Sequence, residues 1–184
     1  MKLSANEFIN SKQKRLTLLG MSGVGKTHLA KLLSKEDQYF HYSGDYRIGA
    51  EYLNDPILEN VINRVKQDEW LKSLLDNESI SIKNNITFDN LSSASAFLGK
   101  VGNPELGGLP IDEFTHRQAL FNKAEASTML DVPDFIAKAE QQGVGNFIND
   151  AGGSLCELDD EKIYQALAER TIILYIRASD KNEG

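Results

Sequence analysis

The chain of 184 residues is long enough for one domain with its own core, and its 26% charged and 41% hydrophobic residues are typical of a globular protein. A formal net charge of −7 disfavours a general nucleic-acid binder, because a phosphate backbone requires clustered lysine and arginine side chains. The single cysteine, Cys156, excludes an intrachain disulfide framework and favours a reducing compartment. No apolar run approaches the roughly 18 residues of a membrane span, and the N-terminus lacks the apolar run of a signal peptide, so we expect a cytoplasmic protein with no membrane partner.

Three elements are predicted before residue 50. The apolar run RLTLL at 15–19 predicts a strand that ends at Gly20. A helix over 26–34 is predicted by apolar residues at helical spacing, namely Leu29, Ala30, Leu32 and Leu33. The segment QYFHYS at 38–43 predicts a second strand.

The middle of the sequence is mainly helical. Asp55, as a cap before Pro56, predicts a long helix with an extension toward Leu75. Its apolar face is formed by Leu58, Val61, Ile62 and Val65. The segment NNITF at 84–88 indicates an edge strand. Three more helices are predicted: one that ends before Gly102, with Leu91, Ala94, Leu98 and Val101 on one face, one from Asp112 toward Leu130, and one from Pro133 to Gly143.

Two further strands, with a helix between them, are predicted near the end of the sequence. GNFIN at 145–149 and TIILYI at 171–176 are the strands, and Asp159 or Asp160 caps the helix, which contains Ile163, Ala166 and Leu167. Because TIILYI is apolar on both faces, we expect it in a parallel sheet that is covered on both sides. The pattern predicts an α/β fold, a three-layer P-loop NTPase domain with a mainly parallel sheet, built from 1–53 and 143–184, with a helical insertion at 54–142.

The strongest motif joins the first predicted strand to the first predicted helix. Residues 20–27 have the sequence GMSGVGKT, which matches the P-loop pattern of Gly, four residues, Gly, Lys and Thr. In this pattern backbone N–H groups surround phosphate oxygens, the lysine reaches the β- and γ-phosphates, and the threonine hydroxyl binds Mg²⁺. The motif predicts a site for Mg²⁺ and ATP, with the choice between ATP and GTP left open. The predicted contacts are Gly20, Met21, Ser22, Gly23, Val24, Gly25, Lys26, Thr27 and His28.

A second motif follows the third predicted strand. In NFINDAGGS the apolar strand ends in Asp150, the position of a Walker B carboxylate that holds Mg²⁺ or orients a nucleophile. Gly152 and Gly153 would let backbone N–H groups approach a small ligand at the carboxyl end of the sheet. The alternative is a strand-to-helix turn whose glycines solve a steric problem, with Asp150 as a cap. The P-loop pattern upstream favours the functional interpretation, in which Thr27 and Asp150 are the metal ligands.

Charged residues also follow the second predicted strand. Asp45 comes 19 residues after Lys26, so we expect it at the same edge of the sheet as the P-loop. Its carboxylate can accept a hydrogen bond or a proton from an acceptor hydroxyl, and Arg47 can bind a carboxylate or a phosphate. The alternative is an aspartate in a turn and an arginine on a helix surface. The predicted catalytic residues are Lys26, Asp45 and Asp150.

Arg117 is a further candidate for substrate binding. It lies three residues after Phe114 and four before Phe121, on the apolar stripe of its predicted helix, where a guanidinium needs a partner or an anionic ligand. The alternative is a side chain that extends along the helix edge to solvent. The three histidines show no metal-ligand spacing with one another or with the cysteine, so we assign them no role as metal ligands.

These three motifs, in this order, resemble the P-loop kinases of small molecules, which include shikimate kinase and the nucleoside-monophosphate kinases. HYSGDYR at 41–47 is similar to the segment after the second strand of adenylate kinases, although a threonine is missing and Arg47 comes one residue early. The later segment is similar to shikimate kinase, with Ala151 at the first position of a glycine triplet. Ser43 stands where that family has a magnesium-associated aspartate, and Asp45 where it has the aspartate that contacts the acceptor hydroxyl. The resemblance covers 14–50 and 144–179.

The resemblance implies a kinase that transfers the γ-phosphate of Mg-ATP to a hydroxyl of a small-molecule acceptor. The implied acceptor contacts are Asp45, Arg47, Arg117, Gly152 and Gly153, and the insertion would be an acceptor-binding lobe, with a bulkier acceptor than shikimate. Kinases of this superfamily continue into an arginine-bearing lid and a fifth strand, neither of which is seen before the sequence ends at ASDKNEG. Two alternatives stay open: an ATPase or nucleotide switch whose insertion binds a partner, and a non-catalytic nucleotide-binding module.

Overall fold

The computed structural model describes residues 4–36, 38–153, 155, 158 and 160–177. Cys156, Asp159 as a helix cap, and the final segment ASDKNEG lie outside the described residues. The chain forms two compact units: unit 1 comprises Met1–Asp45 and Glu125–Gly184, and unit 2 comprises Tyr46–Ala124. In the part of the chain that is described, no helix is long and apolar enough to cross a membrane.

Most predicted elements are confirmed within a few residues. In chain order the elements are α1 (Ala5–Asn10), β1 (Arg15–Leu19), α2 (Lys26–Glu36), β2 (Phe40–Ser43), α3 (Gly44–Arg47), a π-helical turn (Ile48–Tyr52), α4 (Asn54–Val65), α5 (Glu69–Asp76), α6 (Ser92–Leu98), a 3₁₀ turn (Pro104–Leu106), α7 (Ile111–Leu130), α8 (Val132–Gln141), β3 (Phe147–Asp150), α9 (Glu161–Arg170) and β4 (Ile172–Tyr175). The cap of α9 is Asp160, whose carboxylate accepts a hydrogen bond from the Lys162 backbone N–H at 2.9 Å.

The four strands of unit 1 form one parallel sheet in the order β2-β3-β1-β4. The register pairs Asp150 with Leu18 on one side and with Ser43 on the other, so the carboxyl ends of β1, β2 and β3 are level. The segment TIILYI lies in the parallel sheet as predicted, but β4 is less buried than its apolar sequence indicates. Among the described strands β4 is at the edge of the sheet, and Leu174 and Tyr175 are 37% and 60% exposed.

Helices cover both faces of the sheet, which is the layering predicted for the α/β fold. One apolar cluster joins α2 to the sheet and contains Leu16, Leu18, Ala30, Tyr39 and Ile148. The cluster on the other face joins α8 and α9 to the sheet and includes Leu19, Tyr42, Ile136, Phe147, Ile163 and Leu167. Each such buried side chain contributes about 1.5–3 kcal/mol relative to an exposed one, so both clusters hold the sheet in place.

Unit 2 is helical, and its core consists of Ile48, Leu53, Ile57, Ala94, Phe97 and Ala124. The predicted edge strand at 84–88 is not a strand. The backbone there is irregular apart from one bridge between Thr87 and Asn90, and Ile86 packs against the core of the unit. The segment is also held by hydrogen bonds from the Asn84 side-chain amide to Asn54 and by stacking of the Phe88 ring on Tyr46, in place of a ladder of strand hydrogen bonds.

The long helix predicted from Asp55 is two helices, α4 and α5. Asp55 lies inside the first turn of α4 rather than at its cap, and the buried residue is Ile57 rather than the predicted apolar face. Ile57 is buried because it follows Leu53 at helical spacing and both belong to the core of unit 2. A separate helix begins at Glu69 because the Asp68 carboxylate accepts hydrogen bonds from the first backbone N–H groups of α5.

Candidate functional site

The segment with the P-loop pattern, loop 20–27, connects β1 to α2 as the sequence predicts. Gly25 has a φ of +96°, which side chains with a Cβ atom rarely adopt. A Cβ atom at Gly20 would collide with the carbonyl oxygen of Ile176. The glycine pattern is therefore required by a tight backbone turn that leads directly into α2. The first N–H groups of a helix have no partner within the helix, so this end of α2 presents donors.

Lys26 folds back over this turn. Its ammonium group donates to the carbonyl oxygens of Gly20 at 2.7 Å and Met21 at 3.0 Å, and the residue is only 7% exposed. The Lys26 ammonium group therefore lies at loop 20–27, where it is predicted to contact the phosphates of a bound nucleotide. Thr27 and His28, on the first turn of α2, are exposed.

The loops after β1 and β3 diverge. The chain after β1 continues into α2 on one face of the sheet, and the chain after β3 continues into α9 on the other face. Because β1 and β3 are neighbours, this divergence is a topological switch point at the carboxyl edge, and the crevice at such a point is where open α/β sheets bind ligands. A methyl group at Gly153 would lie 3.1 Å from the Ser22 nitrogen. The two glycine motifs, which the sequence predicts separately, meet in this crevice.

Asp150 is the last residue of β3 and is 5% exposed. By the alternation of strand side chains it faces the same side as Ile148, the side that α2 covers. Its carboxylate oxygen Oδ2 lies 3.5 Å from Nε2 of His41, a residue of β2. The structure therefore places an acid at the predicted position and adds a neighbour, His41, that the sequence does not indicate.

Two carboxylates approach Gly152. A methyl group at this position would lie 2.5 Å from Oε1 of Glu125 and 3.2 Å from Oδ1 of Asp45. A Cβ atom at Gly152 would therefore displace the end of at least one of the two acidic side chains. Glu125, on α7, is fully buried, whereas Asp45, on α3, is exposed as a residue although protein atoms surround much of its carboxylate. Asp45 is therefore the acid that a ligand from solvent can reach.

The pKa of Asp45 is raised above its ordinary value. The largest cause is desolvation by the atoms that surround the carboxylate, and the second is repulsion by Asp150, while the Lys26 ammonium opposes both. The three predicted catalytic residues therefore share one electrostatic environment. A raised pKa makes the Asp45 carboxylate a better proton acceptor than an ordinary aspartate.

The two candidate arginines belong to unit 2 and have partners within it. Arg47 donates to Glu51 Oε2 at 3.2 Å, and its guanidinium lies 5.8 Å from the centre of the Tyr52 ring. Arg117 is 3% exposed, so the alternative in which its side chain extends along the helix edge to solvent is wrong. It is buried because it donates to Glu113 Oε1 and to the carbonyl oxygen of Phe97, each at 2.6 Å.

Sequence reasoning missed Glu125 and His41. A weak signal for Glu125 exists, because it lies four residues after Phe121 and four before Met129, on the apolar side of α7. An acid on such a stripe needs compensation, but the sequence does not say that the neighbours are Gly152 and Asp45. No signal marks His41, since its proximity to Asp150 depends on the pairing of β2 with β3.

The donors that could hold Mg²⁺ are the Thr27 hydroxyl and the Asp150 carboxylate. Both are hard oxygen ligands, which Mg²⁺ prefers, and Mg²⁺ is commonly held by one or two protein ligands together with water and substrate phosphates. Among the described residues no group of three or more His, Cys, Asp or Glu side chains is arranged to hold a metal ion. Thr27 and Asp150 supply donors of the kind that Mg²⁺ prefers, and a Mg²⁺ ion bound by them would need its other ligands from water or a phosphate.

Fold and geometry together define an α/β protein with a candidate ligand crevice at the carboxyl edge of a parallel sheet. Comparison with models of known protein families gives no match. Comparison with curated proteins gives no match either. The argument for function therefore depends on the crevice and its residues.

Proposed function

We propose that this protein is a P-loop phosphotransferase of the small-molecule kinase type, which moves the γ-phosphate of ATP to a hydroxyl group of a metabolite. One observation carries the proposal. Loop 20–27 and the loop that contains Gly153 meet in the crevice between β1 and β3, and Lys26, Asp45 and Asp150 influence one another there. A P-loop pattern between a strand and a helix is typical of nucleotide-binding proteins.

Loop 20–27 would hold the triphosphate. Its backbone N–H groups and the N-terminus of α2 suit phosphate oxygens. Lys26 would exchange its two carbonyl partners for oxygens of the β- and γ-phosphates. Thr27 and Asp150 would hold Mg²⁺, which neutralises charge on the phosphoryl group when it is bound.

Asp45 would act on the acceptor. Its carboxylate accepts the proton of the acceptor hydroxyl as the acceptor oxygen forms a bond to the γ-phosphorus. The bond between this phosphorus and the β–γ bridging oxygen breaks, and ADP leaves with the electron pair. The exposure of Asp45 and its raised pKa support this role, because the base must reach a second substrate and compete for its proton.

The test is a measurement of Mg-ATP binding to the wild-type chain, followed by ADP release with and without a panel of hydroxyl-bearing metabolites. The kinase predicts that at least one acceptor accelerates ADP release and appears as a phosphate ester. ADP release that no acceptor changes would favour an ATPase or nucleotide switch, with water in place of the hydroxyl. Binding without ADP release would favour a non-catalytic module, and no binding would overturn all three.

A further inference from the structure

Loop 20–27 presents a methionine side chain to solvent. Of the three methionines in the sequence, the structure describes Met21 and Met129. Met21 is 65% exposed, whereas Met129 is fully buried in the cluster that joins α8 and α9 to the sheet. The Met129 sulfur also accepts a hydrogen bond from the Asn149 amide Nδ2 at 3.5 Å. A small oxidant in solution therefore has access to the side chain of Met21 but not to that of Met129.

The backbone of Met21 is held in place although its side chain is exposed. Its carbonyl oxygen accepts a hydrogen bond from the Lys26 ammonium group at 3.0 Å. The residues on either side are held as well, because Gly20 packs against the chain that follows β4 and Ser22 packs against Gly153. The Met21 thioether is therefore presented from a fixed point of the loop that would bind the triphosphate.

A bound nucleotide is expected to cover part of the Met21 side chain. Removing apolar surface from water favours binding, and a methionine side chain adapts its shape to a neighbouring group. Oxidation converts this apolar side chain into a polar, chiral sulfoxide. A ligand that covers the sulfoxide must remove water from its oxygen, which costs free energy unless the ligand donates a hydrogen bond in exchange. An oxidised Met21 should therefore disfavour the bound state.

We propose that Met21 is a site of reversible oxidation by peroxides and that its oxidation weakens the binding of Mg-ATP at loop 20–27. The effect on binding rests on the proposed function, whereas the oxidation itself does not. The sulfur attacks one oxygen of hydrogen peroxide, so that an S–O bond forms as the O–O bond breaks, and the second oxygen leaves as water with both protons. Sulfur loses the two electrons that the peroxide gains. A methionine sulfoxide reductase reverses the step with two electrons from a dithiol, which becomes a disulfide, and the oxygen leaves as water.

The first experiment maps oxidation along the ligand-free chain. The full chain is treated with hydrogen peroxide for increasing times and digested, and mass spectrometry measures the sulfoxide content of the peptides that contain Met21 and Met129. We expect Met21 to be oxidised at least about tenfold faster than Met129, because only Met21 is exposed. Saturating Mg-ATP should slow the oxidation of Met21.

The second experiment measures Kd for Mg-ATP before and after peroxide treatment in the wild type, Met21→Leu and Met129→Leu. Leucine keeps an apolar side chain of similar volume and has no sulfur. We expect Kd to rise at least about fivefold on treatment of the wild type and Met129→Leu, and to stay constant on treatment of Met21→Leu. Each protein is compared with its own untreated sample, so a different affinity of an untreated variant does not enter the ratio. The wild type and Met21→Leu suffice if Met129→Leu does not fold.

A reduction step separates Met21 from Cys156, the single cysteine. Dithiothreitol reverses sulfenic acids and disulfides of cysteine but does not reduce a methionine sulfoxide. We expect the Kd of the treated wild type to recover only after incubation with the two methionine sulfoxide reductases, one for each sulfoxide epimer. Recovery with dithiothreitol alone would assign the effect to Cys156 and overturn the inference.

The outcomes also separate this inference from the function on which it rests. Oxidation of Met129 as fast as that of Met21, or an equal rise of Kd in the wild type and Met21→Leu, would overturn the inference and leave the kinase standing. Complete oxidation of Met21 with an unchanged Kd would overturn the effect on binding. An untreated wild type that does not bind Mg-ATP would overturn the proposed function and that effect together, while the map of the ligand-free chain still decides whether Met21 is the oxidised site.

Discussion

The backbone of Ser22 lies directly against the Cα atom of Gly153, so that a methyl group at Gly153 would be 3.1 Å from the Ser22 nitrogen and 3.2 Å from its Cβ atom. Two segments more than a hundred residues apart in the chain thus touch where each follows a strand. The contact matters because Ser22 belongs to the loop whose backbone N–H groups would bind phosphate. The shape of that loop therefore depends on the absence of a side chain at Gly153.

Gly153→Ala is expected to weaken Mg-ATP binding. The added methyl group must displace backbone atoms of Ser22, and overpacking of this kind costs about 1–3 kcal/mol. If this cost is borne by the bound conformation of the loop, Kd rises by about 5- to 150-fold, measured by calorimetric titration.

Gly145→Ala is the matched control. Its nearest neighbour would be the flexible side chain of Gln13 at 3.3 Å, and Gly145 precedes β3 rather than following it. This variant should bind Mg-ATP with wild-type affinity. Equal affinities for Gly153→Ala and Gly145→Ala would show that the contact with Ser22 does not shape the nucleotide site.

Lys26→Ala is expected to abolish or strongly weaken nucleotide binding and turnover. Hydrogen bonds from a charged donor contribute about 1.5–3 kcal/mol each, so loss of one such bond should raise Kd for Mg-ATP by about 10- to 150-fold. Lys35→Ala, at the end of α2 and exposed, removes the same charge and should leave Kd unchanged. Because Lys26 also donates to Gly20 and Met21, the thermal midpoint of each ligand-free variant must be recorded. Equal nucleotide affinity in the wild type and in folded Lys26→Ala would contradict the role of Lys26.

Asp45→Asn is expected to separate nucleotide binding from transfer. The amide keeps the size of the side chain but cannot accept a proton as a base, so Mg-ATP affinity should stay near the wild-type value while acceptor-dependent ADP release is lost. General-base catalysis contributes about 100- to 10,000-fold, which sets the expected drop in kcat. Unchanged turnover would remove Asp45 from the chemistry.

The parts of the fold that the sequence predicts well are those that short-range rules decide. β1 has the predicted bounds because an apolar run ends at a glycine, and loop 20–27 has the predicted context because its glycines are needed for the turn. The edge position of β4 could not be predicted in this way. An apolar run indicates that a strand is compatible with burial on both faces. It does not indicate whether neighbouring strands and helices are present to bury that strand.

The parts of the candidate site that escaped prediction depend on partners that are distant in sequence. Arg117 is buried because the Phe97 carbonyl, 20 residues earlier, offers an acceptor. Glu125 approaches Asp45 only because α7 packs where the loop after β3 passes with no side chain at Gly152. A motif search finds neither of these two contacts. The contact of Arg117 involves a backbone carbonyl, and the approach of Glu125 to Asp45 depends on the absence of a Cβ atom at Gly152.

The pKa of Asp45 also predicts a dependence of stability on pH. Because this pKa is raised in the folded state, the folded protein binds the proton more tightly than the unfolded chain does. The free energy of unfolding therefore falls as pH rises from the ordinary aspartate pKa through the raised one, and the loss is complete above the raised value. Asp45→Asn removes this loss, so the ligand-free variant should be more stable than the wild type at pH 8, with a smaller difference at pH 4. Urea unfolding at pH 8 and pH 4 measures the difference in free energy of unfolding between Asp45→Asn and the wild type. A difference that is the same at both pH values would contradict the raised pKa of Asp45 as its cause.

Arg117→Ala is expected to destabilise unit 2. The guanidinium joins α7 to the C-terminal end of α6 through the Phe97 carbonyl and lies 4.7 Å from the centre of the Phe97 ring. Loss of a buried partner costs about 1–3 kcal/mol, which urea unfolding can resolve. Arg64→Ala, an exposed residue of α4 in the same unit, should leave the free energy of unfolding nearly unchanged.

The same variant tests the substrate role that the resemblance implies for Arg117. If Arg117 acts only through its hydrogen bonds within unit 2, Arg117→Ala lowers the free energy of unfolding. Mg-ATP affinity and the KM for an acceptor then stay near their wild-type values under conditions in which the variant is folded. If Arg117 instead binds the acceptor, stability changes little and the KM rises. The second result would contradict the structural assignment.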